Sequence, residues 1–392
     1  MHKSSFELRA PVAATARARA ERVEARLRRF PKPINAHVRT LAARHARLAD
    51  LAVSFPALLA ALGAPRRGLD AERVIAGVIA GISLSTLAAE AGIPLWLRNL
   101  APEAFATRLP DLPNGALFKR QIANHLPTPR ASARWLDEIA FAARWADDAV
   151  ALWLARELTQ PKVKAPRGRR RRTRARRESE RERRMLALWA WFSQRPDAKA
   201  HALIETPWRP EIGLAHAREA AQRWYDNVSL MLAMGERAID DAWFEPAVID
   251  GYEFVPLRMA QDVLDEARAM KNCLRTYGAS LAEGWSRVWS VRRDRERVAT
   301  VEINFNYATR LIALAQVRVL DDKQAPTDVV RVVQRWFLEQ DETTLMRTEP
   351  AFTPLALSQS AWNAMWRPYW LAKRTAPPWL PRRAAEQSLS IA

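Results

Sequence analysis

The sequence predicts an α+β fold: a mostly helical N-terminal half, then a C-terminal domain with a β-hairpin, a helix, a three-stranded antiparallel meander and a closing helix. Two changes along the chain carry that prediction. Before residue 241 apolar side chains recur every three or four positions, as on a helix with one buried face; after it they alternate, as on a strand. Between the halves, residues 162–184 carry a net charge of +10 and no apolar residue from Ala175 to Met185, so this run has no face to bury.

Taken in order, residues 15–62 are rich in Ala, Leu and Arg, which favour helix, with a break at Pro31 and Pro33. Asp70 is placed to cap a helix over 71–80. The sixteen residues 74–89 carry no charge, but a membrane span wants ~20 apolar residues. Ser83, Ser85 and Thr86 interrupt that run, so it reads as a buried core helix. Leu136, Ile139, Ala143, Ala146, Val150 and Trp153 predict one amphipathic helix over 132–158, ended by Pro161. Leu214, Ala217, Ala221, Trp224, Val228 and Met231 predict another. Asp250 and Gly251 supply the positive φ angles of a tight turn between strands 247–249 and 252–255. Val263, Ala267, Met270, Leu274 and Tyr277 then line one helical stripe. Strands are expected at 287–293, 298–305 and 311–319, joined by short polar connections. Pro326 and Thr327 open the closing helix, with Val329, Val330, Val333, Trp336 and Phe337. The expected division is a helical domain at 1–161, a basic linker at 162–184, a helical connector at 185–243, the α+β domain at 244–340 and a basic, Trp-rich tail at 341–392.

Composition narrows the function classes. Of 392 residues, 49% are apolar and 27% charged, which excludes wholesale disorder. A single cysteine, Cys273, excludes an internal disulfide and a Cys-based metal cluster, and none of the six histidines has metal-ligand spacing. No cofactor or metal is expected, since phosphate-binding, dinucleotide-binding and nucleophile-elbow motifs are all missing. No apolar core follows the N-terminal charges, so a cytoplasmic protein without a membrane span is expected. The net charge of +19 is unevenly placed: +8 in residues 1–50, +10 in 162–184 and +4 in 367–392, around a nearly neutral remainder. A neutral body with basic arms attracts polyanions, either nucleic acid or an acidic protein.

Within residues 244–337, the stretch 270–277, containing Met270, Asn272, Cys273 and Tyr277, together with 288–292, 299–303 and Gln316, Val317 and Arg318, forms a recognisable pattern. On these pieces the segment resembles the PcfJ-like family of bacteria. The stretch 93–105 is also similar to the N-terminal region of bacterial members. Asn272 stands where the family pattern has His, and Val319 and Asp322 stand where it has Gly and Asn. The resemblance implies a mobile-element or conjugation-type setting and carries no particular activity with it.

Several residue groups are candidates for chemistry. The nucleic-acid candidates are Arg169, Arg170, Arg171, Arg172, Arg174, Arg176 and Arg177, because guanidinium groups contact phosphates bidentately and without regard to sequence. An enzyme is the alternative, with a site around Cys273, Tyr277, Glu302, Gln316 and Arg318. With no histidine after His216, Cys273 is expected to be a buried core thiol beside Met270 and Tyr277. Gln316 and Arg318 should share a strand face with Ile312 and Leu314, and Glu302 one with Val298 and Thr300. The spacing of Ala88, Gly92 and Ile93 fits the turn of a helix-turn-helix, or an ordinary helical corner. Sixteen tryptophans is a high count, and Trp362, Trp366 and Trp370 are spaced to dock one helix face on the core. The expected function is that of a nucleic-acid-associated accessory protein. A scaffold for an acidic protein partner is the third reading.

Overall fold

The computed structural model describes residues 9–105, 109–115, 117–118, 131–159, 169–236, 238–306, 308–341, 345–346 and 359–375. Two compact units emerge: Met1–Trp191 with Arg209–Leu214, and Phe192–Trp208 with Ala215–Ala392. The fold is α+β, with a six-stranded antiparallel sheet and helices through the N-terminal half.

The first unit is helical: α1 (Arg9–Leu27), α2 (Lys32–Ala43), α3 (Ala46–Ser54), α4 (Pro56–Gly63), α5 (Ala71–Ala80), α6 (Leu84–Glu90), α7 (Ser132–Trp145), α8 (Asp148–Thr159) and most of α9 (Arg169–Ser193). Asp70 caps α5 by accepting the Arg73 N–H at 3.1 Å. The uncharged stretch 74–89 is two helices and not one. Gly81, at φ +88, ends α5 in the left-handed region, and Ser83 caps α6. The single helix expected over 132–158 is likewise two, parted by Ala146 in an extended conformation. After Gly92 the chain makes a five-residue 3-10 helix (Leu95–Asn99) that buries Trp96 and Leu97, so no recognition helix follows the turn.

The basic run is helical from Arg169 onward, forming the first part of the 25-residue α9. Residues 162–168, and the side chains of Arg169 to Arg177, lie outside what the structure describes. At the end of the run, full solvation is corrected. Arg183 donates to Glu138 at 2.9 Å and lies 4.2 Å from the Phe141 ring centroid, while Arg184 lies 4.9 Å from that of Trp145. Both guanidiniums cover aromatic faces on α7, where cation–π attraction and burial of the alkyl stem hold them.

In the second unit, α10 (Leu214–Met234) precedes the sheet, which runs β1 (Ala247–Ile249), β2 (Tyr252–Pro256), β3 (Ser286–Arg293), β4 (Glu296–Asn306), β5 (Leu311–Val319) and β6 (Lys323–Gln324) in spatial order. Between β2 and β3 lie α11 (Ala260–Met270) and the short α12 (Gly278–Ala282); α13 (Thr327–Leu338) follows β6. One sheet face is apolar. Phe254, Trp289, Val301, Ile303 and Ile312 pack there with Val329, Val333 and Trp336 of α13. Trp336 stacks on Phe254 with ring centroids 4.4 Å apart and meets Trp289 edge-on at 5.0 Å. The last described helix, α14 (Gln359–Lys373), buries Trp362, Trp366 and Tyr369, and Trp366 meets Phe192 edge-on at 5.6 Å. The rest of the basic, Trp-rich tail (342–344, 347–358 and 376–392) lies outside the described residues.

Two irregularities in the sheet correct the expected faces. Glu302 pairs with Gln316 but Ile303 pairs with Leu314, so Ala315 is an extra residue on β5. A bulge of this kind reverses the alternation on one side of it. Ile312 and Leu314 therefore join the apolar face, while Gln316 and Arg318 turn to the other. A second shift, where Val291 pairs with Ala299 but Arg292 with Arg297, sends Val298 to the apolar core and leaves Thr300 beside Glu302.

Candidate functional site

The second sheet face is polar and partly covered by α11 and the turn after it. Ser286 and Ser290 on β3, Thr300 and Glu302 on β4, and Gln316 and Arg318 on β5 stand there in adjacent registers. Its inner anchor is Glu266 of α11, fully buried, which accepts from Arg297 Nε at 2.8 Å and Thr300 Oγ1 at 3.0 Å. Buried carboxylates are retained only with such partners.

The segment that brings Tyr277 to this face is shaped by two residues. The predicted helical stripe through Leu274 and Tyr277 is corrected: α11 ends at Met270, because Lys271 adopts a left-handed conformation (φ 50, ψ 43). Asn272 then holds the turn. Its Oδ1 accepts the Leu274 N–H at 3.3 Å and its Nδ2 donates to Thr300 Oγ1 at 3.1 Å. A 3-10 turn (Leu274–Thr276) delivers Tyr277 to the sheet.

There the Tyr277 hydroxyl donates to Glu302 Oε2 at 2.9 Å. Gln316 Nε2 donates to the same Glu302 oxygen at 2.5 Å and to the Tyr277 oxygen at 2.7 Å. Ser286 Oγ, itself 2.6 Å from Ser280 Oγ, approaches Glu302 Oε1 at 3.4 Å. Arg318 Nε donates to Gln316 Oε1 at 3.2 Å, which orients both the amide and the guanidinium. Burial, and then the bond to Glu302, push the Tyr277 phenol well above its usual range. Tyr277 therefore keeps its proton at neutral pH and serves as a hydrogen-bond donor, not as a base.

Four of the five catalytic candidates are thus joined in one hydrogen-bonded chain: Tyr277, Glu302, Gln316 and Arg318. Cys273 stands beside the Tyr277 hydroxyl, but the expectation of a core thiol is wrong: Cys273 is exposed. It lies beyond the left-handed Lys271, off the helix that would have carried it at the edge of the apolar stripe. Sequence reasoning missed Glu266 and assigned Asn272 and Thr300 no part in positioning this turn. The signal was a glutamate adjoining the apolar stripe of Val263, Ala267 and Met270. Among the described residues no group of three or more His, Cys, Asp or Glu side chains is placed to hold a metal ion. Chemically, the face offers a carboxylate, a protonated phenol, an oriented amide and a half-buried guanidinium whose terminal nitrogens have no partner among the described residues.

Fold and site together define an α+β unit with one apolar sheet face and one polar face closed by a helix and its following turn. Compared with known proteins, the chain matches no family model, no curated protein and no solved structure.

Proposed function

We propose that the chain is a cytoplasmic, nucleic-acid-associated accessory protein of a mobile-element or conjugation-type system, which holds phosphate backbones through its basic segments. The observation that carries this reading is the +10 of residues 162–184, much of it on the backbone of α9. A helix of this length extends ~37 Å, so its basic half spans several phosphates of a strand. Arg183 and Arg184 give the segment a fixed end, since both pack on α7. The setting is supported by the PcfJ-like resemblance of residues 244–337.

The test is binding of DNA and RNA at two salt concentrations, by the full chain and by a variant with Arg169, Arg170, Arg171, Arg172, Arg174, Arg176 and Arg177 changed to glutamine. Glutamine keeps helix propensity while removing charge. Binding by both proteins with the same salt dependence would contradict the proposal. Binding of an acidic protein in place of either nucleic acid would favour the scaffold reading.

A second reading has its own observation. The convergence of Tyr277, Glu302, Gln316 and Arg318, with the Cys273 thiol at its edge, supports a ligand or catalytic site in the α+β unit. Its free guanidinium nitrogens suit a carboxylate or phosphate group.

A further inference from the structure

The helical unit contains a groove that neither reading uses. It is open, of about 700 Å3, and lies between the 66–70 loop, α5, the end of α6, residues 109–111 and the last turn of α7. That volume is in the ~300–1,000 Å3 range of small-ligand clefts. Arg66 fixes its base, donating to the Asp111 carboxylate at 2.5 Å and to the Ala91 carbonyl at 3.1 Å. Gly92 makes room for that guanidinium, since a Cβ there would come within 2.2 Å of Arg66 Nη2.

The acids on the groove wall are all engaged. Asp111 is held by Arg66, Glu90 pairs with Arg73 at 2.6 Å, and Asp70 caps α5. Arg67 and Arg144 differ. Both are exposed, both line the groove, and neither has a hydrogen bond or ion pair among the described residues. Arg144 stands on α7 between Phe141 and Trp145, the two rings covered by Arg183 and Arg184 of α9. One helix, α7, thus supports both the groove and the fixed end of the basic helix.

We propose that this groove is a second phosphate site, in which Arg67 and Arg144 hold phosphates of the strand engaged by α9. With Asp111 and Glu90 each paired to an arginine, the two unpaired guanidiniums outweigh the one remaining carboxylate, Asp70, and give the groove a net positive charge with bidentate donors. The inference rests on the nucleic-acid reading, and its test separates the two. Fluorescence anisotropy of a labelled oligothymidine is recorded across a salt series with the unaltered full chain, Arg67→Gln with Arg144→Gln, and the seven-arginine variant of α9. The groove variant should bind on the order of tenfold more weakly, with a salt slope shallower by about 1.4, at ~0.7 per lost single-strand contact. Its melting temperature should be unchanged, because both side chains are exposed. Unchanged affinity and slope in the groove variant, with binding lost only in the α9 variant, would overturn the groove and leave the α9 reading standing. Salt-independent or undetectable binding by the unaltered chain would overturn both.

Discussion

Glu266 and Cys273 show how far a single residue's role follows from its place in the backbone. Glu266 is fully buried and holds Arg297 and Thr300, so it ties α11 to β4. Glu266→Ala should destabilise the α+β unit by about 2–4 kcal/mol, somewhat below the full cost of breaking a buried pair because Arg297 is partly exposed. Urea denaturation measures this, and a change under about 0.5 kcal/mol, typical of surface sites, would refute the anchoring role. Cys273 leads to the opposite expectation. Because it is exposed, Cys273→Ser and Cys273→Ala should both leave stability within about 0.5 kcal/mol, and the native thiol should react with a thiol reagent. Protection of that thiol until global unfolding would restore the core reading. The residues of the site were legible in the sequence as types, but their assembly was not. It depends on Lys271 leaving the helix and on Asn272 catching Thr300, contacts with no periodic signature.

Secondary-structure elements were more legible, for a physical reason. A strand or helix with one buried face writes its period into the sequence, and the hairpin, the meander and the closing helix all lie where the alternation and the Asp250 and Gly251 turn put them. The helix over 71–80 ends where Asp70 and the run to Ala80 put it, but the break at Ala146 was missed, because apolar residues on both sides hide the change of direction. The β5 bulge is a sharper case. One extra residue, Ala315, moves Ile312 and Leu314 to the core and leaves Gln316 and Arg318 on the polar face. Deleting Ala315 should remove the bulge while keeping Ile303 opposite Leu314 and Glu302 opposite Gln316, so the polar chain from Tyr277 to Arg318 should persist on a regular strand. A structure of that variant with Gln316 displaced from Glu302 would disprove Ala315 as the one extra residue of the strand. On the apolar face, Trp336→Ala should cost about 3–5 kcal/mol, since the ring stacks on Phe254 and meets Trp289 edge-on. A thermal melt checks this; a loss below 1 kcal/mol would mean that α13 contributes little to the core.

At the scale of the whole molecule, charge placement is the dominant fact. No helix among the described residues is long and apolar enough to cross a membrane. The chain instead concentrates its +19 in three segments around a nearly neutral remainder. Self-repulsion among so many arginines disfavours compaction, and a polyanion relieves it by replacing small counterions. That is the physical basis of the proposed function, and the salt dependence of binding reads it directly. The decisive measurement is the slope of log Kobs against log[salt] on one duplex, for the full chain and for the variant with the seven arginines from Arg169 to Arg177 changed to glutamine. Phosphate binding by the basic helix gives a steep negative slope, near −0.9 per phosphate contact, that becomes shallower by several units in the variant. Equal slopes and equal affinities for the two proteins would contradict it.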